Sequence, residues 1–196
     1  MYKKYAVLVG ILMVLMITAC GEQKTTTAQK PARPAFIAYI KEIDSMYIAG
    51  MAKMGPYLEI GKTMMELTAW LAKNKVVPTG MPFGVYYDDP AKIKPESTRY
   101  EVWFPVPAKT KGDKAVTVKK FGPALVAATM HIGPYDKLGA IYPKLAEWIM
   151  KNNFVIAGPA HEFYYNSPDK VPAESLKTEI VFPVMPKVPA QPAGQK

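Results

Sequence analysis

The sequence predicts an α+β fold of duplicated βαββ units with pseudo-twofold symmetry, with helices packed on antiparallel sheets around a central cleft. Three observations predict it: an internal repeat, the same order of apolar periodicities in both copies, and the bare sheet face that each unit leaves. Shifting the sequence by 78 positions aligns residues 55–107 with residues 133–185 without a gap, and 20 of the 53 aligned positions are identical. Such a match indicates an internal duplication.

Each copy begins with the same order of strand and helix patterns. Residues 39–54 and 116–132 are apolar and alternating, which predicts extended strands, each broken once near residues 44–45 or 122–123. A Gly-Pro-Tyr turn follows, and apolar residues then recur at helical spacing, which predicts one helix per copy. The apolar stripes are Ile60, Met64, Leu67 and Leu71 in the first copy and Leu138, Ile141, Leu145 and Trp148 in the second.

Each copy ends with two further predicted strands. They lie at residues 83–87 and 101–106 in the first copy, and at residues 161–165 and 179–184 in the second. A proline-containing loop joins the two strands of each pair. Two such units have bare sheet faces to bury, and pairing them about a pseudo-twofold axis leaves a cleft between them. Clefts at such junctions are common ligand sites.

The N-terminal residues predict a lipoprotein signal. Lys3 and Lys4 precede an apolar run at residues 5–16, and small residues then lead to Cys20, the only cysteine of the chain. This order resembles the bacterial lipobox, which implies a signal peptide at residues 1–19 and a lipid anchor on Cys20. The alternative is an uncleaved anchor helix, although the run is shorter than the roughly 20 residues that a spanning helix needs. Both alternatives place the domain outside the cytoplasm, in the cell envelope.

The remaining chain divides into a flexible tether, a folded domain and a disordered tail. Composition separates them, because the segments at both ends are rich in polar residues and proline and have no apolar periodicity. They are the tether at residues 20–35, the domain at residues 36–185 with repeats at about 36–107 and 115–185, and the tail at residues 186–196. Gly21 stands where inner-membrane lipoproteins usually carry aspartate, so the outer membrane, on its periplasmic side, is expected in a diderm cell.

Charge and composition exclude several kinds of partner. The formal net charge is +9, and removing residues 1–19 with Lys3 and Lys4 reduces it to +7. The lysines are spread along the chain, and no helix-turn-helix or zinc-binding pattern occurs, so no nucleic-acid partner is expected. His131 and His161 are the only histidines, and HExxH and CxxC motifs are absent, so the sequence predicts no metal and no cofactor.

The second copy carries the most specific local patterns of the chain. They are Gly133-Pro134-Tyr135, Glu162 in the strand before Asn166-Ser167-Pro168, and Thr178-Glu179 at the start of the last strand. With the duplication, these patterns resemble the GyrI-like small-molecule-binding domain, which is also the effector-binding domain of AraC-type and MerR-type regulators. The resemblance covers residues 116–184 well and residues 39–106 more loosely.

The resemblance implies two pseudo-symmetric βαββ units around an aromatic-lined cleft. It implies amphipathic and often cationic ligands, with Glu162 as a buried counter-charge and Glu179 as a second acidic residue near the cleft. Some members of the family hydrolyse strained, DNA-alkylating natural products with a glutamate and aromatic partners, and some bind DNA gyrase. This sequence shows no fused DNA-binding domain and begins with the lipoprotein-like signal, so neither transcriptional regulation nor gyrase binding is expected.

Strand alternation gives an independent view of the candidate residues. Glu162 and Tyr164 point to one face of their strand, and Gly84 and Tyr86 occupy the equivalent positions of the first copy. A carboxylate among aromatic rings suits a ligand cation, because the charge and the ring faces attract it together. The alternative is that Glu162 lies exposed on the sheet and that the tyrosines are ordinary strand residues.

Three further residues are candidates for the ligand site, two of them with an alternative. Glu179 has a counterpart in Glu101, so it serves either the site or the scaffold, for example by pairing with a lysine. Trp103 replaces Val181 of the other copy and is a candidate wall of the cleft. Tyr142 is expected either to reach over the cleft from its helix or to pack in the core.

These observations lead to three functional hypotheses. The first is an extracytoplasmic, membrane-anchored lipoprotein that binds a small amphipathic molecule, with cations as one ligand class, without transforming it. The second is a hydrolase of strained or electrophilic molecules that uses Glu162 and Tyr164 in the same cleft. The third is a protein-interaction module of the envelope, which is favoured if side chains of the protein fill the cleft.

Overall fold

The computed structural model describes residues 36–188. The predicted signal peptide at residues 1–19, the lipid attachment at Cys20, the tether at residues 20–35 and the tail from residue 189 onward lie outside the described residues. Neither helix between residues 36 and 188 is long and apolar enough to cross a membrane.

Nine strands and two α-helices occupy the described part of the chain, with short 3₁₀ turns between some of them. The elements of the first copy are β1 (Tyr39–Ile43), β2 (Met46–Met54), α1 (Ile60–Lys73), β3 (Phe83–Tyr86) and β4 (Arg99–Val106). Those of the second are β5 (Thr117–Phe121), β6 (Ala124–Ile132), α2 (Tyr142–Lys151), β7 (Phe154–Ile156), β8 (Ala160–Tyr164) and β9 (Lys177–Pro186).

The strands pair in the antiparallel order β1-β6-β9-β8-β3-β4-β2-β5, and β7 pairs with the end of β9. The units β2-α1-β3-β4 and β6-α2-β8-β9 therefore repeat, as predicted, and meet through the pairing of β3 with β8. The first strand of each copy crosses to the other copy, because β1 pairs with β6 and β5 pairs with β2. The predicted α+β fold of duplicated βαββ units is confirmed.

Two short connections require the sheet to curl strongly. Only Asp44 and Ser45 separate β1 from β2, although six strand spacings separate them in the sheet order. A flat sheet would hold them about 29 Å apart, whereas three residue steps span at most about 11 Å. Gly122 and Pro123 impose the same closure between β5 and β6. The inner face of the curl holds two clusters of buried apolar side chains, and Met46 and Phe121 accordingly pack against both of them.

The helices cover the outer face of the two halves. In α1, Leu67 and Leu71 are buried against β2 and β4, as the predicted stripe requires. In α2, Leu145 and Ile149 are buried in the matching cluster with residues of β6 and β9. The central strands β3 and β8 lie between the two helices, and the cleft forms above them.

The structure adds two features at the end of the second copy. The short strand β7 was not predicted, since it has only three residues and only two residues separate it from the end of α2. The predicted tail begins too early, because β9 continues to Pro186 and the Lys187 amide donates a hydrogen bond to the Asn153 carbonyl at 2.8 Å. The folded domain therefore includes the first residues of the segment that was predicted to be disordered.

A partly buried ion pair on the inner face links the two copies. Glu179 in β9 is only 2% exposed, and Lys41 in β1 places its Nζ 2.7 Å from both carboxylate oxygens. The hydroxyls of Tyr39 and Tyr165 donate to the same carboxylate at 2.6 and 3.0 Å. Burial raises the pKa of Glu179, but the hydrogen bonds from Lys41 and Tyr39 outweigh it, so this pKa lies below its usual value. The glutamate is therefore held ionised within the scaffold.

The first copy contains a related arrangement. Glu101 in β4 accepts a hydrogen bond from Trp103 Nε1 at 2.7 Å and lies 3.7 Å from Lys119 Nζ in β5. The same ammonium group stands 4.2 Å from the centre of the Trp103 ring, a cation–π distance. Each exchanged first strand is thus fixed to the other copy by a lysine and a glutamate.

Replacing Glu179 with glutamine is expected to lower the free energy of unfolding by about 2 kcal/mol, because the partly exposed Lys41 ammonium and the Tyr39 and Tyr165 hydroxyls lose an ionised acceptor. Urea denaturation of the chain from residue 21 onward measures the change. The matched control is Glu66→Gln, which breaks the exposed pair with Lys53 and is expected to change stability by less than about 1 kcal/mol. Equal effects of the two substitutions would contradict the scaffold role of Glu179.

Candidate ligand-binding cleft

A large open cleft lies on the outer face of the sheet, between α1 and α2. Its volume is about 2360 Å³, larger than the roughly 300–1,000 Å³ of ordinary ligand pockets. Its floor includes Tyr86 of β3 and Glu162 and Tyr164 of β8, and the loops after these strands form part of its rim. Most lining side chains are apolar or aromatic, and Glu162 differs from them because it places a buried carboxylate in the floor of the cleft.

Glu162 lies on the pseudo-twofold axis of the domain. In the antiparallel pairing of β3 with β8, it stands directly opposite Gly84, its own counterpart in the repeat. Two glutamates in these positions would place like charges next to each other, which is destabilising. The cleft therefore has one carboxylate at its centre and is chemically asymmetric there.

Tyrosine hydroxyls surround the Glu162 carboxylate. Tyr142 of α2 donates a hydrogen bond to Oε1, and Tyr164 donates to Oε2 at 2.9 Å. The hydroxyl of Tyr86 is 2.5 Å from that of Tyr164, which extends the network into the first copy. Glu162 itself is 6% exposed, and no basic side chain of residues 36–188 forms an ion pair with it.

The surroundings of Glu162 and of the three tyrosines raise the pKa values of all four groups. Burial raises the pKa of Glu162, and the hydrogen bonds from Tyr142 and Tyr164, the nearby Tyr86 hydroxyl and the charge of His131 only partly oppose it. Burial, with the nearby Glu162 charge, also raises the pKa values of the three tyrosines well above their usual range. The tyrosines thus remain hydrogen-bond donors, and an ionised Glu162 has no ion-pair partner among residues 36–188.

Close packing explains why the axis position of β3 carries glycine. A Cβ atom on Gly84 would lie 2.9 Å from Ile60 Cδ1, 3.0 Å from Tyr86 Cε2 and 3.1 Å from the Tyr164 hydroxyl. That hydroxyl is already fixed by its hydrogen bonds to Glu162 and Tyr86. The space opposite Glu162 is therefore filled by side chains of the tyrosine network and by the first turn of α1.

A second layer of rings supports the network. Tyr57 packs edge-on against Tyr86 with ring centres 5.0 Å apart, and Tyr135 packs in the same way against Tyr164 at 5.9 Å. These two tyrosines were predicted only as parts of turns. The recurrence of Gly-Pro-Tyr in both copies was the signal that could have identified them, and Phe104 and Phe182, which also line the cleft, recur in the same way.

The structure brings together five of the seven predicted ligand-site residues: Glu162, Tyr164, Gly84, Tyr86 and Tyr142. Of the two alternatives for Tyr142, the structure shows the one in which it reaches the cleft, although its ring also packs 6.1 Å from that of Phe182. Glu162 is buried rather than exposed on the sheet.

Glu179 and Trp103 lie elsewhere, which corrects their placement in the cleft. Directly opposite residues of paired strands share a face, and Glu179 stands opposite Phe163 while Trp103 stands opposite Phe83. Phe83 and Phe163 stack on each other inside the curl, with ring centres 4.8 Å apart. Both predicted residues therefore point to the inner face, away from Glu162.

The histidines do not create a metal site in the described region. His161 lies on the inner face near the rings of Phe83 and Phe121, and burial lowers its pKa to about 4. Its Nδ1 is 3.0 Å from the Pro159 carbonyl oxygen. Residues 36–188 contain no group of three or more His, Cys, Asp or Glu side chains placed to hold a metal ion.

Comparison with known protein families identifies the family of this chain. The model of the GyrI-like small molecule binding domain matches residues 38–185, which include both repeats and the whole cleft. The chain belongs to this family. Among curated proteins, none matches the sequence at a significant level.

Solved structures with the same GyrI-like architecture include two of EcmrR. The cryo-EM structure of its complex with DNA has a TM-score of 0.70 at 21% identity and covers 78% of this chain and 58% of that chain. The crystal structure of the EcmrR C-terminal domain has a TM-score of 0.66 at 21% identity, with coverages of 77% and 98%. The chain thus spans little more than half of the EcmrR chain in the DNA complex, and matches nearly all of its C-terminal domain.

Two further structures share the GyrI-like fold at lower identity. A hydrolase encoded by lin2189 from Listeria innocua has a TM-score of 0.58 at 12% identity, with 79% of this chain and 94% of that chain covered. SAV2435, solved with bound tetraphenylphosphonium, has a TM-score of 0.54 at 12% identity, with coverages of 76% and 94%. At these identities the similarity establishes the fold.

Proposed function

We propose that the GyrI-like domain of this chain binds an amphipathic organic cation in the cleft, without transforming it, and that Glu162 is the counter-charge. One observation carries the proposal: a carboxylate that is 6% exposed opens onto an apolar cleft and, among residues 36–188, receives hydrogen bonds from tyrosines only. Small-molecule binding in general follows from the family. The cationic character of the ligand is the proposed step.

Physical chemistry favours a cation over a neutral or anionic ligand. An ionised carboxylate without a counter-charge is unfavourable in a desolvated site, and tyrosine hydroxyls compensate only part of this penalty. A cation in the cleft would stabilise the ionised form of Glu162 directly. The faces of the aromatic rings that line the cleft would attract the same charge. A large apolar body would at the same time bury the hydrophobic walls.

A structural neighbour supports this ligand class. SAV2435 has been solved with tetraphenylphosphonium, a lipophilic cation, and shares the fold of this chain. The EcmrR C-terminal domain, which shares this fold, has been crystallised as a separate domain. In our proposal the partner of this domain is a small molecule and not a nucleic acid.

We further propose that the domain is held at the cell envelope by a lipid on Cys20, on the periplasmic side of the outer membrane in a diderm cell. The support is the sequence: a charged start, an apolar run at residues 5–16 and small residues before the single cysteine. Mass spectrometry of the N-terminal peptide of the full-length expressed protein should find acylated Cys20 at the new terminus. An unmodified peptide that retains residues 1–19 would contradict the anchor.

Hydrolysis of an electrophilic ligand is the second candidate function. The raised pKa of Glu162 and its hydrogen bond to Tyr164 would suit acid-base catalysis, and a Listeria innocua protein with this fold is described as a hydrolase. An envelope protein-interaction module is less favoured, because the cleft is open rather than filled by its own side chains.

Glu162→Gln tests the proposed function in the chain from residue 21 onward. We expect binding of tetraphenylphosphonium, followed by calorimetry, to weaken at least tenfold, because the amide keeps the shape of the side chain but removes the counter-charge. Glu179→Gln is the matched control on the opposite face, used where denaturation shows that it remains folded, and should bind as the wild type does. Equal binding by Glu162→Gln would refute the counter-charge. Turnover of an epoxide or other strained electrophile that disappears in Glu162→Gln would instead establish the hydrolase.

A further inference from the structure

The two helices contribute unequally to the cleft walls. Helix α1 lines the cleft from Ile60 to Ala72, twelve residue steps and thus about 18 Å along its axis. In the second copy the lining runs from Leu138, in the 3₁₀ turn before α2, to Ala146, the counterpart of Thr68. The lining on α1 therefore continues about one helical turn, roughly 6 Å, beyond that on α2. The cleft therefore departs from the pseudo-twofold symmetry at this end, where it extends further along α1.

Sequence differences between the repeats account for the unequal walls. Ala69 of α1 corresponds to Glu147 of α2, and Ala72 corresponds to Met150. Glu147 pairs with Lys151 at 2.6 Å on the surface, and neither Glu147 nor Met150 lines the cleft. On α1 the same positions are small and apolar, so an apolar stripe continues along the helix to its C-terminal end.

This stripe begins beside the carboxylate. Ile60, in the first turn of α1, is packed close to Gly84, and Gly84 stands directly opposite Glu162. From there the wall passes Met64, Met65, Thr68 and Ala69 and ends at Ala72. The Thr68 hydroxyl donates a hydrogen bond to the Met64 carbonyl of the same helix at 2.8 Å. Met65 is 67% exposed, and unbranched methionine side chains adapt readily to a ligand surface. A charged group at Glu162 would thus leave a long apolar groove leading away from it.

We propose that the ligand of this cleft is a single-chain cationic amphiphile, with its head group at Glu162 and its linear alkyl tail along α1 towards Ala72. The assignment rests on the proposed cation binding and specifies the ligand class for the same cleft. A compact cation would occupy only the region around Glu162. A linear tail would also cover the groove, and each methylene that leaves water there would increase the affinity roughly two- to fourfold.

A chain-length series tests the assignment. Alkyltrimethylammonium ions with tails from hexyl to hexadecyl are titrated by calorimetry into the chain from residue 21 onward, below their critical micelle concentrations. Tetraphenylphosphonium serves as the compact reference cation. We expect the affinity to increase roughly two- to fourfold per methylene until the tail passes the end of α1, and then to level off.

A matched pair of variants locates the tail. Ala72→Lys places a charge at the far end of the groove, and Met150→Lys places one at the equivalent position of α2, outside the cleft. Both sites are exposed on helices, so both variants should fold. We expect Ala72→Lys to weaken hexadecyltrimethylammonium binding at least tenfold and to leave hexyltrimethylammonium and tetraphenylphosphonium within twofold. Met150→Lys should change none of the three.

The outcomes separate this assignment from the proposed function. If tetraphenylphosphonium binds but affinity does not depend on tail length, the alkyl groove is refuted and cation binding stands. If Ala72→Lys weakens all three cations equally or none of them, the position of the tail along α1 is refuted. If no cation binds, including tetraphenylphosphonium, the proposed function itself is refuted and the ligand class with it.

Discussion

The burial of one carboxylate on the pseudo-twofold axis is the constraint on which the rest of the cleft depends. Glu162 and Gly84 are equivalent in the repeat and stand directly opposite each other, so only one of them can carry a charge without repulsion. Once Glu162 is buried there, tyrosine hydroxyls must satisfy its oxygens, and Tyr142 and Tyr164 do so. The duplication thus supplies a symmetric frame, and the loss of symmetry at its centre creates the candidate site.

Packing on the opposite face of β3 and β8 holds the candidate site in place. Closure of the curl by two-residue connections packs Phe83 of β3 against Phe163 of β8 on the inner face. The exchanged first strands and the partly buried Lys41–Glu179 pair tie the two copies together. Neighbouring side chains of β8 therefore have different roles: Phe163 stabilises the closed sheet, and Glu162 faces the cleft.

The repeat made most of the fold predictable from the sequence. The residues that were misplaced depend on the pairing register between strands, which the sequence did not specify. Alternation within one strand correctly placed Glu162 with Tyr164, and the 78-residue shift identified Gly84 and Tyr86. Glu179 and Trp103 lie on other strands, and which face they share with Glu162 depends on pairing that periodicity alone does not specify. The sequence left two positions open for Tyr142, because a residue at the edge of the apolar stripe of a helix can face either the core or the cleft.

The titration of Glu162 tests the account most directly. Carbon-13 NMR of the glutamate carboxyl groups, assigned with Glu162→Gln, gives its midpoint in the free domain and with saturating tetraphenylphosphonium. We predict a free midpoint above the usual value of about 4.3, because burial without an ion-pair partner disfavours the ionised form. It should fall when the cation binds, because the cation stabilises that form. A midpoint at or below the usual value, unchanged by the cation, would contradict the account.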